Sequence, residues 1–214
     1  MLHLGIIFLI SYLVGSINFG LILGYIQGLD LRSLGSGNAG ATNALRILGA
    51  RSGLFVFFGD ALKGYFALYL CDSIVAQTET LLFVPSDYLF LSLIFSFIGH
   101  CYPVWFNFRG GKGAATALGA FIFIDPYFIL FPLLGFIFVF LISRFVGLAT
   151  ISAFFILFIQ TFFIDHGIHH NLHAFSLIIF LCILFTHRSN IQSILKGTEI
   201  KPVSYTHLTL PTKA

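Results

Sequence analysis

Charge is what this chain has least of: of its 214 residues only 9% are Asp, Glu, Lys or Arg, against 58% hydrophobic and 17% aromatic. Soluble domains carry about a quarter of their residues as charged side chains. The shortage leaves too little polar matter to cover a water-facing surface, and mean hydropathy is +0.98. A soluble enzyme and a disordered chain are thereby excluded. The formal net charge of +3 is too small for a polyanion-binding face, which excludes a nucleic-acid binder. Cysteine is scarce as well. Cys71, Cys101 and Cys182 lie in apolar runs without CxxC spacing, so neither a disulfide framework nor a zinc site is indicated. The first 31 residues hold no Lys or Arg. The positive n-region of a signal peptide is therefore missing, and the first apolar run is expected to persist as a span.

What the chain does have is long apolar runs, at residues 4–25, 54–71, 88–104, 114–124, 127–142, 147–164 and 174–185. A helix needs about 20 apolar residues to cross a hydrocarbon core of about 30 Å. The runs are continuously apolar and do not alternate as barrel strands do. They predict an all-α, polytopic integral membrane protein of about seven transmembrane helices. The fourth and seventh runs are short, and the count falls to five or six if these are re-entrant or interfacial. Residues 1–202 form one membrane-embedded domain in this reading, and 203–214, rich in Thr, are a disordered and non-native tail.

The charges are distributed unevenly. Arg32, Arg46, Arg51, Arg109, Lys112, Arg144, Arg188, Lys196, Lys201 and Lys213 all follow odd-numbered runs, whereas Asp72, Glu79, Asp87, Asp125 and Asp165 occupy the alternate connectors. This is the positive-inside pattern. It predicts the amino terminus outside, the carboxyl terminus in the cytoplasm and an odd number of spans.

Polar residues beside a membrane core are costly unless they face a partner, a cavity or a substrate. Four clusters lie on or near the basic side. In the first, Ser36, Gly37, Asn38, Gly40, Thr42 and Asn43 precede Arg46. Glycine-rich backbone there can approach an anion, and a helix starting near Gly40 would aim its positive dipole end at it. The second is Asp60 with Lys63, spaced i,i+3 in an apolar run, equally suited to bracing helix packing and to a direct catalytic role. The third is His100 and then Gly110, Gly111, Lys112 and Gly113 before another helix. It is not a nucleotide P-loop, because Phe106 and Gly113 stand where that motif needs Gly and Ser or Thr. Alone, His100 fits a packed, hydrogen-bonded histidine better than a general base. The fourth joins Arg144, Gly147 and Thr150 to His187, Arg188 and Asn190. On the opposite side His166, His169, His170 and His173 include an i,i+4 pair suited to a metal, but an exposed polar loop explains them better.

Arg46 and Lys112, with Arg144, Arg188 and Lys63 as further candidates, are thus surrounded by Ser, Asn, Thr and Gly. Such a set can bind one or two phosphates at a membrane surface. No G-x-S-x-G elbow is present, no His is followed five residues on by Asp, and no base faces a Ser or Cys nucleophile. Spacing alone leaves two readings open, a phosphoester-handling membrane enzyme and a transporter of an organic phosphate. A transporter predicts polar groups on both sides of the midplane and repeat symmetry, and neither is visible. A magnesium-dependent lipid-phosphate transferase would show Asp-rich loops on the basic side, where few acidic residues lie.

The segments GSINFG, DLRSLGSGNAGATNALRILG, GDALKG, GHCYPVWFNFRGGKGAATALG, SRFVGLATISA and HRSNIQSILKGTE occur in this order over nearly the whole chain. At these motifs the sequence resembles the bacterial acyl-phosphate-dependent glycerol-3-phosphate acyltransferases. The resemblance implies a seven-helix enzyme of the bacterial cytoplasmic membrane, its site facing the cytoplasm. It implies transfer of a fatty acyl group from acyl phosphate to the 1-hydroxyl of glycerol 3-phosphate, giving lysophosphatidic acid and inorganic phosphate. No cofactor, metal or nucleic acid is implied, and the chain is taken as a monomer in the bilayer. Carried over by motif, Ser36, Arg46, Lys112, His187 and Asn190 are the catalytic residues. Gly37, Asn38, Gly40, Thr42, Asn43, Gly110, Gly111, Gly113 and Thr150 form the substrate-binding set, with Asp60 and Lys63 as a structural or site pair. Thr150 stands where the family usually has Ser, Gly147 replaces another Ser, and Ser189 replaces a Glu.

Overall fold

The computed structural model describes residues 2–77, 85–163 and 171–201, with side chains from residue 5 in the first segment and from residue 88 in the second. Among the described residues ten α-helices follow one another: α1 Leu2–Gly15, α2 Phe19–Ile26, α3 Ala41–Leu48, α4 Ala50–Ala76, α5 Pro85–Cys101, α6 Ala114–Ile124, α7 Leu130–Ser143, α8 Val146–Gln160, α9 Leu172–Thr186 and α10 Arg188–Leu195. No strand occurs among the described residues.

Four stretches are long and apolar enough to cross a membrane: Ala50–Ala76, Tyr88–Phe106, Pro126–Ser143 and Val146–Phe163. Two bent helix pairs, Gly5–Gly15 with Phe19–Ile26 at 41° and Leu172–Thr186 with Arg188–Leu195 at 53°, pass the same test only when each pair is taken together. The fourth expected run, α6, has 11 residues, too few at 1.5 Å each to cross a ~30 Å core.

Each break has a local cause. At the first, α1 stops at Gly15 and Asn18 caps α2, its Oδ1 accepting from Leu21 N at 3.0 Å. The carbonyl of Ile17, freed by the break, accepts from Lys63 Nζ at 2.5 Å, and Lys63 also pairs with Asp60 at 2.9 Å. Lys63 is thereby satisfied in the interior, as a buried ammonium must be. Between α3 and α4 the reversal falls on Gly49, whose φ of +87° is open to glycine and strained for other residues.

Helix α4 is the central post, packed against α6, α3, α1 and α5, while α7 rests on α8 and α8 on α9. The α4–α6 crossing is close because it is made by glycines. A Cβ on Gly64 would strike the Thr116 carbonyl oxygen, and one on Gly119 would strike that of Ala61. Small residues at such crossings let backbones approach in the absence of a hydrophobic drive between helices. The main core gathers Phe90, Leu93, Phe97, Phe121, Phe128, Phe154 and Ile183. Helix α7 is different: only 11% of its apolar stretch is buried. Phe131, Phe138, Leu141 and Ile142 stand exposed along it, as expected of a lipid-facing surface.

The expected tail at 203–214, Glu79, and His166, His169 and His170 lie outside the described residues. His173 is described, and its Nδ1 lies 2.9 Å from Thr161 Oγ1.

Candidate active site

The loop before α3 is organised by Asn43. This side chain is fully buried. Its Nδ2 donates to the carbonyls of Leu31 and Leu34, both at 2.9 Å, and its Oδ1 accepts from Ser36 N at 2.9 Å. With every polar atom committed to the backbone, Asn43 shapes the loop. Ser36, Asn38, Gly40 and Thr42 then line a cavity, joined by Arg46 one turn along α3. Gly40 is the N-cap of α3, as the glycine run predicted.

The second wall is the 110–113 turn. Gly111 N donates to the His100 carbonyl at 3.2 Å and Gly110 N to that of Cys101 at 3.0 Å, so the turn is seated on the end of α5. Gly113, at φ +81°, turns the chain into α6. Thr186 Oγ1 holds the Lys112 carbonyl at 3.1 Å, leaving the ammonium to meet Asn190 Oδ1, with Ser189 Oγ at 3.5 Å. Burial above all, opposed by Glu199 and aided by Arg46 and Arg188, pushes the Lys112 ammonium down to about 8.

The third wall is the α9–α10 break. His187 Nδ1 lies 2.9 Å from the Ile183 carbonyl, which can only accept. Nδ1 therefore carries the proton, and Nε2 of the neutral ring is the bare acceptor. Asn190 approaches α8 at Gly147, where a Cβ would meet Asn190 at 2.8 Å. The glycine that replaces a serine here is filled by the asparagine. Thr150 also lines the cavity, its hydroxyl donating to the Val146 carbonyl at 2.9 Å.

These walls enclose a cavity of about 210 Å³ lined by Ser36, Asn38, Gly40, Thr42, Arg46, Lys112, Gly113, Thr150, His187 and Asn190. Ten expected residues thus converge from distant parts of the chain. Gly37, Asn43, Gly110 and Gly111 stand behind the lining and shape it. Of the second cluster, Asp60 reaches the cavity and Lys63 does not. Arg144 is exposed at the end of α7. Arg188 sits over the Phe185 ring at 4.2 Å. Neither lines the cavity.

One polar lining group, Glu199, escaped sequence reasoning. Glu199 accepts from Asn190 Nδ2 at 2.7 Å, beside Ile200, whose carbonyl accepts from Arg46 Nη2 at 2.7 Å. His100, held secondary from sequence, forms part of the floor with Asp60. Glu199 had a signal only in its place at the end of the last motif.

A second cavity of about 170 Å³ adjoins the first, sharing Phe57, Ala114, Ala115, Phe136 and Thr150. Its remaining walls are apolar, including Leu118, Leu133, Phe154 and Leu157. A cationic chamber thus opens onto an apolar slot between α6, α7 and α8. No group of three or more His, Cys, Asp or Glu side chains able to hold a metal occurs among the described residues.

Comparison with known proteins agrees with this geometry. The family model described as glycerol-3-phosphate acyltransferase matches residues 5–197. A glycerol-3-phosphate acyltransferase of Aquifex aeolicus (strain VF5) is 41% identical over 194 residues, covering 88% of this chain and 94% of its own. That of Geobacillus kaustophilus (strain HTA426) is 40% identical over 197 residues, covering 92% and 94%. Among solved structures, the integral membrane glycerol 3-phosphate acyltransferase PlsY superposes with a TM-score of 0.82 in its glycerol 3-phosphate form, at 37% identity, covering 92% of this chain and 94% of that one. Its lysophosphatidic acid form gives 0.80 at 36% identity over the same shares.

Proposed function

We propose, from the premise that this chain belongs to the glycerol-3-phosphate acyltransferase family, that it takes its acyl group from acyl phosphate and delivers it to the 1-hydroxyl of glycerol 3-phosphate. The products are lysophosphatidic acid and inorganic phosphate. The observation that carries this reading is the joining of a cationic cavity to an apolar slot. Both substrates are anionic at one end, and only the donor has a long apolar tail. Two phosphates in the polar chamber with the tail in the slot is the one arrangement that leaves no charge in hydrocarbon and no chain in water. The forms named for the PlsY structures, glycerol 3-phosphate and lysophosphatidic acid, support the acceptor and the product.

Acyl phosphate is already activated, so the protein's task is to bring two anions together and orient them. Arg46 and Lys112 hold the phosphates, Asn38 and Gly40 in the first loop and Gly113 in the turn supply backbone donors, the Ser36 hydroxyl adds another, and Asn190 and Thr150 complete the polar wall. The acceptor hydroxyl oxygen attacks the donor carbonyl carbon, forming a C–O bond and an oxyanion. Collapse of that oxyanion breaks the bond to the phosphate, which departs. The hydroxyl proton goes either to an oxygen of the departing phosphate or to Nε2 of His187. The sequence holds no nucleophile elbow, so attack is direct, with no acyl-enzyme. Recovery of a covalently acylated protein from a quenched reaction would overturn that step. The site faces the cytoplasm, where glycerol 3-phosphate is met, and the enzyme resides in the bacterial cytoplasmic membrane as a monomer.

The test is phosphate release from palmitoyl phosphate by purified protein, with and without glycerol 3-phosphate and with EDTA present. Release that requires the acceptor, survives EDTA and yields lysophosphatidic acid is expected. Absence of acceptor-dependent release from folded protein would overturn the donor assignment. His187→Asn separates the two proton routes: a kcat within a few-fold of the parent assigns the proton to phosphate, and a loss of about 10²-fold or more assigns it to the imidazole.

A further inference from the structure

Beneath the polar chamber lies a buried knot of polar side chains that the mechanism above does not use. His100, at the end of α5 and 3% exposed, brings Nδ1 to 3.1 Å from Thr116 Oγ1 on α6. The same atom stands 3.6 Å from Asp60 Oδ1 on α4. Asp60 is anchored in turn by Lys63 at 2.9 Å. Three helices thus fix one imidazole.

The other edge of the ring faces the turn that carries Lys112. A Cβ on Gly111 would collide with His100 Nε2, and one on Gly110 with the His100 carbonyl oxygen. The backbone therefore lies directly on this residue, and Gly111 N donates to that carbonyl at 3.2 Å. A turn of three glycines and a lysine has little stiffness of its own. Its shape must come from what it rests on, here His100 below and Thr186 at the Lys112 carbonyl.

We infer that His100 is a positioning residue for Lys112: held by Thr116 and Asp60, its imidazole sets the place of the 110–113 turn and so of the ammonium beside Asn190. The consequence for substrate rests on the function proposed above; the placement of Lys112 does not. A buried histidine that merely fills space would support the fold and leave the substrate constants alone. A seat for the turn acts selectively on whatever Lys112 holds.

Four variants and two readouts separate these. Lys112→Arg keeps the charge but moves it, and so identifies the substrate whose KM depends on the ammonium. His100→Phe keeps the ring's bulk and removes both nitrogens. It is expected to raise that same KM about tenfold, since small displacements of a positioning group carry penalties of this order or larger. The other substrate's KM should stay within about twofold, and in the Lys112→Arg background the added loss should also be under about twofold, because coupled residues are not additive. Thr116→Val should follow in the same direction, about threefold, and Thr116→Ser should restore the parent value. Independently of turnover, labelling of Lys112 by trinitrobenzenesulfonate without substrate should speed up severalfold in His100→Phe and Thr116→Val, and not in Thr116→Ser.

Unchanged KM and unchanged labelling in folded variants would overturn the inference, as would losses that multiply fully with Lys112→Arg. If His100→Phe does not purify as folded protein, the Thr116 pair carries the same comparison. A parent protein that labels as expected but shows no acceptor-dependent transfer would overturn the function reading while leaving the positioning of Lys112 standing.

Discussion

At the scale of single residues, the site depends on where two cations are held. Arg46 reaches the cavity from a short helix, and its guanidinium meets the Ile200 carbonyl. Arg46→Ala is expected to lower kcat/KM for glycerol 3-phosphate by about 10²–10³-fold, the usual cost of removing a fixed donor from a crowded anionic site. Lys112 gives a prediction in pH. Its ammonium is held down at about 8 in the free protein, and a bound phosphate would raise it. Substrate affinity is therefore complete below that value and falls as pH rises through it, by up to about tenfold per unit. An alkaline limb in kcat/KM near pH 8 is expected, and Lys112→Arg should abolish it. That Arg46, Lys112, His187 and Asn190 line one cavity agrees with the motifs that singled them out in sequence. Asn43 was legible as polar but not as a loop brace, because its three partners are backbone groups whose positions exist only in the fold. Glu199 was hidden for a related reason, since its meaning comes from what lies opposite and nothing local marks it. His100 was expected as a packed, hydrogen-bonded histidine and is one, buried against Thr116; its contact with the 110–113 turn was not visible.

At the scale of elements, apolar runs marked α1, α2 and α4 to α9, while α3 and α10 lie outside them; Gly40 correctly marked the start of α3. The two breaks were not visible, whereas the shortness of α6 was, since its bounds are those of the short fourth run. The bend between α1 and α2 needs Lys63, 46 residues from Ile17 in sequence, to satisfy a carbonyl. The bend between α9 and α10 sits where His187 turns inward, and the shortness of α6 leaves room for the glycine turn before it. Helix pairs are held instead by small residues, most tightly where α4 crosses α6. Gly119→Val should force the Ala61 carbonyl away and destabilise the folded state by about 1–3 kcal/mol, read as a fall in Tm of the detergent-solubilised protein. Because α6 begins at the Lys112 turn, activity at low temperature should fall along with stability. A Tm equal to the parent's would show that the crossing is looser than drawn.

At the scale of the whole molecule, the chemistry is divided between a polar chamber and an apolar slot that share one wall. That division predicts a substitution acting on one substrate only. Ala153→Phe fills the slot without touching Arg46 or Lys112. It should raise KM for palmitoyl phosphate about tenfold, as steric exclusion from an apolar pocket does. An octanoyl donor should be affected less, and KM for glycerol 3-phosphate should hold. Equal effects on both donors would place the acyl tail elsewhere.

The sparse packing of α7 bears on how such measurements are made. Its Phe136 lines both chambers, and Leu133 lines the slot, yet the helix rests mainly on α8 and presents most of its length outward. Surrounding acyl chains must therefore supply the lateral pressure that the protein does not. The bilayer is in this sense a structural component of the donor site, and the enzyme's preference among donors is a joint property of the chain and its solvent. Assayed in a short-chain detergent and in membranes of native thickness, one sequence should behave as two catalysts that agree on the head group and differ on the tail.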